Sequence, residues 1–192
     1  MRRLLALPLL FLALTAAAAP LPRVRMVTSA GAIVIELEAK RAPITTANFL
    51  RYVDAKRFDG RQFYRAARSK RDPKRGFVQG GIQRNYRLMF EPIKMERTDE
   101  TGIKHTDGTI SMAHGWSPDS ALGDFFISVG PLPIMDARGS YAGYAAFGHV
   151  VGGMATVKTI LASPIIPGVG GEEFRDQWIA KPVKIISVRR IN

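Results

Sequence analysis

The amino-acid sequence predicts a mainly β protein, a closed β-barrel whose ends are capped by two α-helices. Short apolar segments recur along the chain, and Gly, Pro, Asp or Ser residues bound each of them, which is typical of strands. Only two segments carry apolar residues at helical spacing. Many short strands accompanied by two helices indicate a barrel covered at its ends.

The predicted barrel begins with a β-hairpin. Residues 24–28 and 32–37 form its two strands, and a Gly-containing turn joins them. In the second strand Ile33, Ile35 and Leu37 alternate with other residues, so they share one face. We expect that face to point into the core.

Two helices are predicted. Pro43 suits the first turn of a helix, and the apolar residues Phe49 and Val53 follow it one turn apart. This helix is expected to end by Asp54, before a loop. The second helix is predicted over residues 154–161, and its apolar residues are Met154, Val157, Ile160 and Leu161.

The other predicted strands are short. They are residues 62–66, 77–79, 109–113, 125–129, 145–151 and 184–191. In the last strand Ile185 and Ile191 are the clearest core candidates. Residues 163–177 form a long connection that contains Gly and Pro, and a loop of that length is either functional or mobile.

The N-terminal segment predicts export. Arg2 and Arg3 precede an apolar run over residues 4–14, and Ala16 to Ala19 offer an A-x-A cleavage site. The run is shorter than the roughly 20 residues that span a bilayer. We therefore expect residues 1–18 to be a cleaved signal peptide and residues 19–192 to form one domain. The expected location is periplasmic or secreted, without stable membrane insertion.

Composition excludes several classes of site. The chain has no cysteine, which removes disulfides, thiolate metal sites and lipid attachment. The formal net charge of +12 suits nucleic acid or an anionic surface. No RNP, helix-turn-helix or zinc-finger pattern is present, so no nucleic-acid partner is expected. We interpret the charge as a solvated basic surface, with attraction to anionic envelope components as the weaker alternative.

No motif for metal, cofactor or nucleophilic chemistry is present. His105, His114 and His149 are too scattered for a known metal motif. Ser111, His114 and Asp119 are close in sequence, but no G-x-S-x-G elbow accompanies them. The glycine-rich run before the last strand lacks the strand, helix and acid of a dinucleotide site. The remaining chemistry needs no nucleophile, metal or cofactor.

Seven segments, in order along the chain, resemble the cyclophilin family. They are APITTANF at 42–49, FYR at 63–65, FVQGG at 77–81, GTISMA at 108–113, FFI at 125–127, AFGHV at 146–150 and GM at 153–154. Tyr144 and the leader resemble the periplasmic branch in particular. The resemblance implies an eight-stranded antiparallel barrel with two capping helices. It also implies a shallow groove for proline-containing polypeptides, and a peptidyl-prolyl cis-trans isomerase, expected as a monomer, that assists the folding of exported proteins.

The resemblance implies a role for each site residue. Arg65 would be catalytic, because a fixed cation can stabilise the prolyl nitrogen as the twisting amide loses its resonance. Phe126 would form the floor of the proline pocket. Gln79 would hold Arg65 or the peptide backbone. The remaining implied groove residues are Met112 and Met135 near the floor, Ala113 and His114 along the backbone of the peptide, and Tyr144 at a substrate carbonyl.

The chain departs from the family pattern at several positions. Asp124 stands where the family has a glutamine, and Ile134 where a tryptophan favours cyclosporin binding. One residue is missing near Phe77, which leaves its place in the groove open. Asp124 and a lengthened loop after Arg65 favour an alternative, a non-catalytic prolyl-peptide-binding chaperone on the same fold.

That lengthened loop is basic. Its cations are Arg68, Lys70, Arg71, Lys74 and Arg75, with Asp72 as the one acid among them. The cluster predicts either attraction of acidic peptides to the groove or a solvated loop that keeps the protein soluble.

Overall fold

The computed structural model describes residues 20–191, so the predicted signal peptide lies outside it. Eight strands are formed: β1 (Arg23–Thr28), β2 (Gly31–Leu37), β3 (Gln62–Arg68), β4 (Gly76–Gly81), β5 (Thr109–Met112), β6 (Asp124–Val129), β7 (Ala146–Gly152) and β8 (Trp178–Ile191). Three helices accompany them: α1 (Pro43–Asp54), α2 (Thr98–Thr101) and α3 (Met154–Leu161).

The strands close into one antiparallel barrel. Their order around the barrel is β1-β2-β7-β5-β6-β4-β3-β8, and β8 pairs with β1 to complete the ring. Every strand therefore has two hydrogen-bonded neighbours, which leaves no open sheet edge. The mainly β class and the eight-stranded antiparallel barrel are confirmed.

The hairpin faces are confirmed by burial. Ile33, Ile35 and Leu37 are fully buried, while Val34 and Glu36 between them are partly exposed. Inside the barrel, aromatic rings pack edge to face, as Phe49 and Phe63 do on Phe125. This packing joins α1, β3 and β6 in one core.

The two predicted capping helices have the predicted bounds. Pro43 occupies the first turn of α1, and Phe49 and Val53 are buried on its inner side. The α3 residues Val157, Ile160 and Leu161 are buried too. The single-turn α2 was not predicted, because four residues are too few to show a helical period. Within residues 20–191 no helix has the length and apolar character needed to cross a membrane.

The last strand differs from the prediction. It begins at Trp178 rather than at residue 184 and continues through a proline. Ile185 is buried as expected, but Val188 is the second core residue and Ile191 is only partly buried. A bulge opposite Val27 and Thr28 shifts the register, and an extra residue reverses which side chains face inward.

Candidate active site

A groove of about 1140 Å³ lies on the outer wall of the barrel. Strands β3, β4 and β6 form its base, because residues that alternate with the core face outward on these strands. Nine of the ten sequence-predicted site residues line it: Arg65, Phe77, Gln79, Ala113, His114, Asp124, Phe126, Met135 and Tyr144. Phe77, whose place the sequence did not decide, is thus a groove residue.

Met112 was predicted beside the floor of the groove, and this prediction is wrong. The side chain is 1% exposed and belongs to the hydrophobic core. Met112 pairs with Phe125, while Ser111 pairs with Phe126. Directly paired residues share a face of the sheet, so Met112 points inward with Phe125, away from the groove.

A β-bulge in β3 presents two consecutive side chains to the groove. Phe63 pairs with Gly80 and Arg65 pairs with Gln79, which leaves Tyr64 as the extra residue. In a regular strand Tyr64 and Arg65 would face opposite sides. Both line the groove here, because the bulge re-aims the strand.

The Arg65 guanidinium is held at two points. Its Nη1 donates to Gln79 Oε1 at 2.8 Å, and its Nε donates to Gln177 Oε1 at 2.8 Å. A guanidinium has five N–H donors, so three remain for a ligand. The Phe77 and Phe174 ring centroids lie 5.0 and 4.6 Å from its central carbon. Both distances are within the range of cation–π attraction.

Burial lowers the pKa of Arg65, while nearby groups, among them Glu173, oppose that shift. The pKa of an arginine lies so far above neutral pH that the side chain stays cationic there despite this shift. The site thus holds a permanent positive charge at a fixed position, partly shielded from water.

Phe126 forms an aromatic floor beside this charge. The ring is 3% exposed. Its centroid lies 5.2 Å from that of Phe77, 5.4 Å from that of Tyr144 and 5.7 Å from that of His105. The floor is apolar, and its ring is fixed by neighbours from β4 and from two loops.

A buried Asp–His–Ser chain lies under the floor. His105 Nδ1 is 2.7 Å from Asp136 Oδ1, and His105 Nε2 is 3.0 Å from Ser111 Oγ. Ser111 is fully buried, so no substrate can reach its hydroxyl and the trio is not a nucleophilic site. Burial lowers the pKa of His105, against the opposing effect of Asp136. The imidazole stacks on Phe126 and supports it.

Asp124 borders the groove, but it is 8% exposed and its carboxylate is bonded to protein groups. Its carboxylate accepts from the Gln83 N–H at 2.8 Å and the Arg84 N–H at 3.3 Å. Tyr64 donates its hydroxyl to Asp124 at 3.2 Å, and Gln79 Nε2 donates to that hydroxyl at 2.9 Å. Burial raises the pKa of Asp124, and these donors oppose the shift. The chain from Asp124 to Gln79 thus ends on the side chain that holds Arg65.

The far wall offers groups for a peptide backbone. Among residues 20–191, neither the His114 N–H nor the Ala113 carbonyl has a hydrogen-bond partner in the protein. The His114 ring stacks on Tyr144 with centroids 4.6 Å apart. Burial raises the pKa of Tyr144, so its hydroxyl stays protonated as a hydrogen-bond donor.

Sequence reasoning missed the groove residues that come from the connection before β8 and from the first residue of β8. Glu173, Phe174 and Trp178 line the groove, and Gln177 binds Arg65. The available signal was the length of the 163–177 connection, which predicted function or mobility without naming a residue. Trp116, which is fully exposed and also lines the groove, was missed as well.

Two cations of the basic loop have structural contacts. Arg68 donates to the carbonyls of Leu161 and Ser163, and Arg75 donates to the carbonyl of Pro131. The other three, Lys70, Arg71 and Lys74, are exposed. Within residues 20–191 their side chains have no hydrogen bond or ion pair, so they can be replaced without loss of a structural contact.

Comparison with known proteins identifies a matching family model and relatives. The model described as cyclophilin type peptidyl-prolyl cis-trans isomerase/CLD matches residues 23–190. A peptidyl-prolyl cis-trans isomerase of Acinetobacter baylyi is 36% identical over 168 residues, covering 86% of this chain and 84% of that protein. Peptidyl-prolyl cis-trans isomerase A of Dickeya dadantii is 35% identical, with 83% and 84% covered.

Solved structures share the fold. A cyclophilin type peptidyl-prolyl cis-trans isomerase of Cryptosporidium parvum superposes with a TM-score of 0.67 at 18% identity, covering 90% of this chain and 98% of that one. The same protein in the presence of the dipeptide Ala-Pro gives a TM-score of 0.68 at 19% identity, with 88% and 99% covered.

Proposed function

The chain belongs to the cyclophilin-type peptidyl-prolyl cis-trans isomerase family, and we propose that it isomerises prolyl bonds of exported proteins at the groove around Arg65. One observation carries this proposal above the others. A permanent cation, fixed by Gln79 and Gln177, stands beside the apolar floor of Phe126. Rotation about a prolyl bond is favoured by both features: the apolar surface holds the proline ring, and the cation stabilises the prolyl nitrogen.

The chemistry is rotation about one bond. A peptide bond resists rotation by about 18–20 kcal/mol, and X-Pro bonds exchange in tens to hundreds of seconds. At the twisted transition state the amide loses resonance and the prolyl nitrogen regains its lone pair. A donor fixed near that nitrogen binds the transition state more strongly than either ground state, which lowers the barrier.

Each part of the groove has one task in this proposal. The proline ring packs on Phe126, which holds one side of the bond still. The Arg65 N–H groups not bonded to the two glutamines face the prolyl nitrogen. The Ala113 carbonyl and the His114 N–H pair with the peptide backbone, and the Tyr144 hydroxyl donates to a substrate carbonyl. Rotation then occurs on the side of the bond away from the proline ring.

The substrate class follows from the relatives and from the shape of the groove. The Cryptosporidium parvum structure was determined in the presence of Ala-Pro, and we transfer proline-containing polypeptides to this chain as its substrates. The groove is shallow and open along the barrel wall, so it fits a segment of extended chain. Asp124, which favoured the non-catalytic alternative, is occupied by backbone and tyrosine hydrogen bonds.

Export is the second half of the proposal. The leader pattern over residues 1–18 supports delivery to the periplasm or the medium. The single domain then acts there, as a monomer, on proteins that have crossed the membrane unfolded. N-terminal sequencing of the protein purified from its host tests this: a start at Ala19 is expected, and an intact Met1 on a cytoplasmic product would contradict it.

Catalysis is tested by a protease-coupled isomerisation assay on the purified protein with an Ala-Pro peptide. We expect the cis-to-trans rate to rise in proportion to protein concentration. Binding of the peptide without acceleration would establish the non-catalytic chaperone instead. Heat-denatured protein at the same concentration is the control.

A further inference from the structure

We propose that Gln177 is a positioning residue for Arg65, carried by a preformed turn at residues 172–177; this rests on the proposed isomerase function. The turn belongs to the connection before β8 and meets Arg65 from the side opposite β4. Gln79 on β4 accounts for one contact to the guanidinium, and Gln177 accounts for the other.

Strand pairing brings Gln177 beside Arg65. Trp178, the first residue of β8, pairs with Arg65, and the Ala66 N–H donates to the Gln177 carbonyl at 2.8 Å. The Gln177 side chain then reaches the Arg65 Nε with its amide oxygen. Its amide nitrogen donates to the Glu173 carbonyl at 2.9 Å. Both partners require this orientation, because the Arg65 Nε is only a donor and the carbonyl is only an acceptor.

The turn is bonded to residues 168 and 169, which precede it in the same connection. Asp176 accepts from the Gly168 N–H at 2.6 Å, and the Asp176 N–H donates to the Val169 carbonyl at 3.2 Å. Gly170 has a φ of +101°, and a Cβ there would lie 2.6 Å from the Phe174 carbonyl oxygen. The close approach requires glycine. The turn is therefore built before any ligand arrives.

Phe174 gives an independent reason to assign the turn to Arg65. The ring is 38% exposed, so the hydrophobic core does not explain its position. Its centroid lies 4.6 Å from the guanidinium carbon. Glu173 also lines the groove, and its charge raises the pKa of Arg65 against the effect of burial. Three residues of one turn thus act on the same cation.

The physical effect is preorganisation. A free arginine explores many rotamers, and bonds to Nε and Nη1 restrict its plane as well as its reach. Loss of one bond leaves the charge in the groove but lets the guanidinium turn. A displacement of about 1 Å in a catalytic group can cost about 10²-fold in rate. Because the substrate also contacts Arg65 and partly restores its position, we expect a loss of about tenfold in kcat.

The experiment uses three variants of the full chain. Gln177→Leu keeps the size of the side chain and removes both hydrogen bonds. Gln177→Glu keeps an acceptor for Arg65 but removes the donor to the Glu173 carbonyl. Arg175→Ala is the matched control, because among residues 20–191 its side chain has no hydrogen bond or ion pair and it lies in the same turn.

Two readouts are measured for each variant. The first is kcat and KM for prolyl isomerisation. The second is the ¹⁵N–¹H resonance of the Arg65 Nε group, assigned by its loss in Arg65→Lys. We expect Gln177→Leu to lower kcat about tenfold, with KM within about twofold, and to shift or broaden the resonance. Gln177→Glu should recover kcat to within about threefold of wild type and keep the resonance sharp.

The outcomes separate positioning from stability of the turn. If the bond to Glu173 is what matters, Gln177→Glu fails like Gln177→Leu, and the positioning role is overturned. An unchanged kcat in Gln177→Leu, or an equal loss in Arg175→Ala, overturns it as well. An inactive wild-type protein would contradict the isomerase assignment, while the Arg65 resonance in the Gln177→Leu variant would still decide whether the turn orients the guanidinium.

Discussion

Two arginines line the same groove, and they differ in whether the protein holds the side chain in place. Arg65 is half-buried, lies on a strand and gives two hydrogen bonds to glutamine side chains. Arg84 is exposed, lies in a loop and, within residues 20–191, its guanidinium has no hydrogen bond or ion pair. Its backbone N–H, by contrast, is bonded to Asp124. The chain fixes the side chain of one arginine and the backbone of the other.

At the Arg84 end of the groove, the backbone conformation leaves the arginine side chain exposed. Gln83 and Arg84 have φ values of +54° and +52°, a left-handed conformation that costs energy for residues other than glycine. The Asp124 carboxylate offsets that cost by accepting both of their N–H groups. The guanidinium lies against Gly115, where a Cβ would be 3.0 Å from Arg84 Nη2. The missing side chain leaves room for the guanidinium at this end of the groove.

The way the two side chains are held suits them to different tasks, Arg65 to the reaction and Arg84 to the selection of substrates. A group that stabilises a transition state must already be in place when the bond twists. A group that contacts variable neighbours of the proline benefits from freedom to move. We infer that the Arg65 end performs the reaction on every substrate, while the Arg84 end, with the fully exposed Trp116, makes contacts that differ from one substrate to the next.

The largest expected effect tests this division directly. Arg65→Ala should lower kcat/KM by about 10²–10³, the usual loss when a donor to developing charge is removed. Arg84→Ala should change it by less than about tenfold and act through KM, because an exposed cation that no partner holds in place contributes little to the transition state. Both are measured in the isomerisation assay, with circular dichroism to confirm folding. An equal loss in the two variants would contradict the division of roles between Arg65 and Arg84.

The second prediction concerns stability at the two ends. Phe126→Ala should lower the free energy of unfolding by about 3 kcal/mol, near the low end for Phe→Ala, because the groove opens to solvent and no closed cavity remains. Trp116→Ala should change it by less than about 0.5 kcal/mol, as an exposed side chain does. Denaturant titration of both variants provides the measurement. A cost for Trp116→Ala above that of Phe126→Ala would show that the exposed end also carries stability.

Patterns local in sequence predicted most of this fold. The apolar period of α1 and the alternation of Ile33, Ile35 and Leu37 report directly on which face is buried, so the bounds of these elements were predicted to within one residue. The placement of Arg65, Gln79 and Phe126 in one groove came from resemblance, because they lie on three different strands. No local pattern shows which strands become neighbours in a barrel.

The errors arise where one residue changes the register. Met112 was predicted on the groove face of β5 but lies on the core face. A step of one residue moves a side chain to the other face of a sheet. The bulge at Tyr64 and the irregularity in β8 leave no mark in the sequence, because a bulge depends on the partner strand. Gln177 is the clearest case. Its role depends on a pairing between residues 112 positions apart.

The third prediction concerns inhibition by cyclosporin. Ile134 is 60% exposed in the short turn before Met135, where the family tryptophan that favours cyclosporin would stand. Without the indole N–H, cyclosporin should inhibit poorly. Ile134→Trp should tighten inhibition by about two- to tenfold, since one neutral hydrogen bond contributes about 0.5–1.5 kcal/mol. Titration of the inhibitor against isomerase activity measures this. Tight inhibition of the unmodified protein would contradict it.

The smallest expected effect concerns a third set of cations, outside the groove. Lys70, Arg71 and Lys74 are exposed on the loop between β3 and β4, and that loop leads into Phe77 at the Arg65 end. Free surface cations speed the arrival of acidic ligands more than they tighten the final contacts. Peptides flanked by Glu should therefore show a kcat/KM above that of peptides flanked by Lys, by less than about tenfold.

Salt and substitution distinguish this attraction from a loop that only aids solubility. Screening lengths shorten from about 30 Å at 0.01 M to about 8 Å at 0.15 M ionic strength, so the preference for Glu should fade as salt is added. Replacing Lys70, Arg71 and Lys74 with Gln should remove the preference at low salt. Arg68 and Arg75 are left unchanged, because replacing them would also remove their hydrogen bonds to backbone carbonyls. If the triple variant keeps the wild-type ratio between the two peptides, these three cations do not select substrates, and the preference for acidic sequences comes from other cations of the chain, of which Arg84 lines the groove.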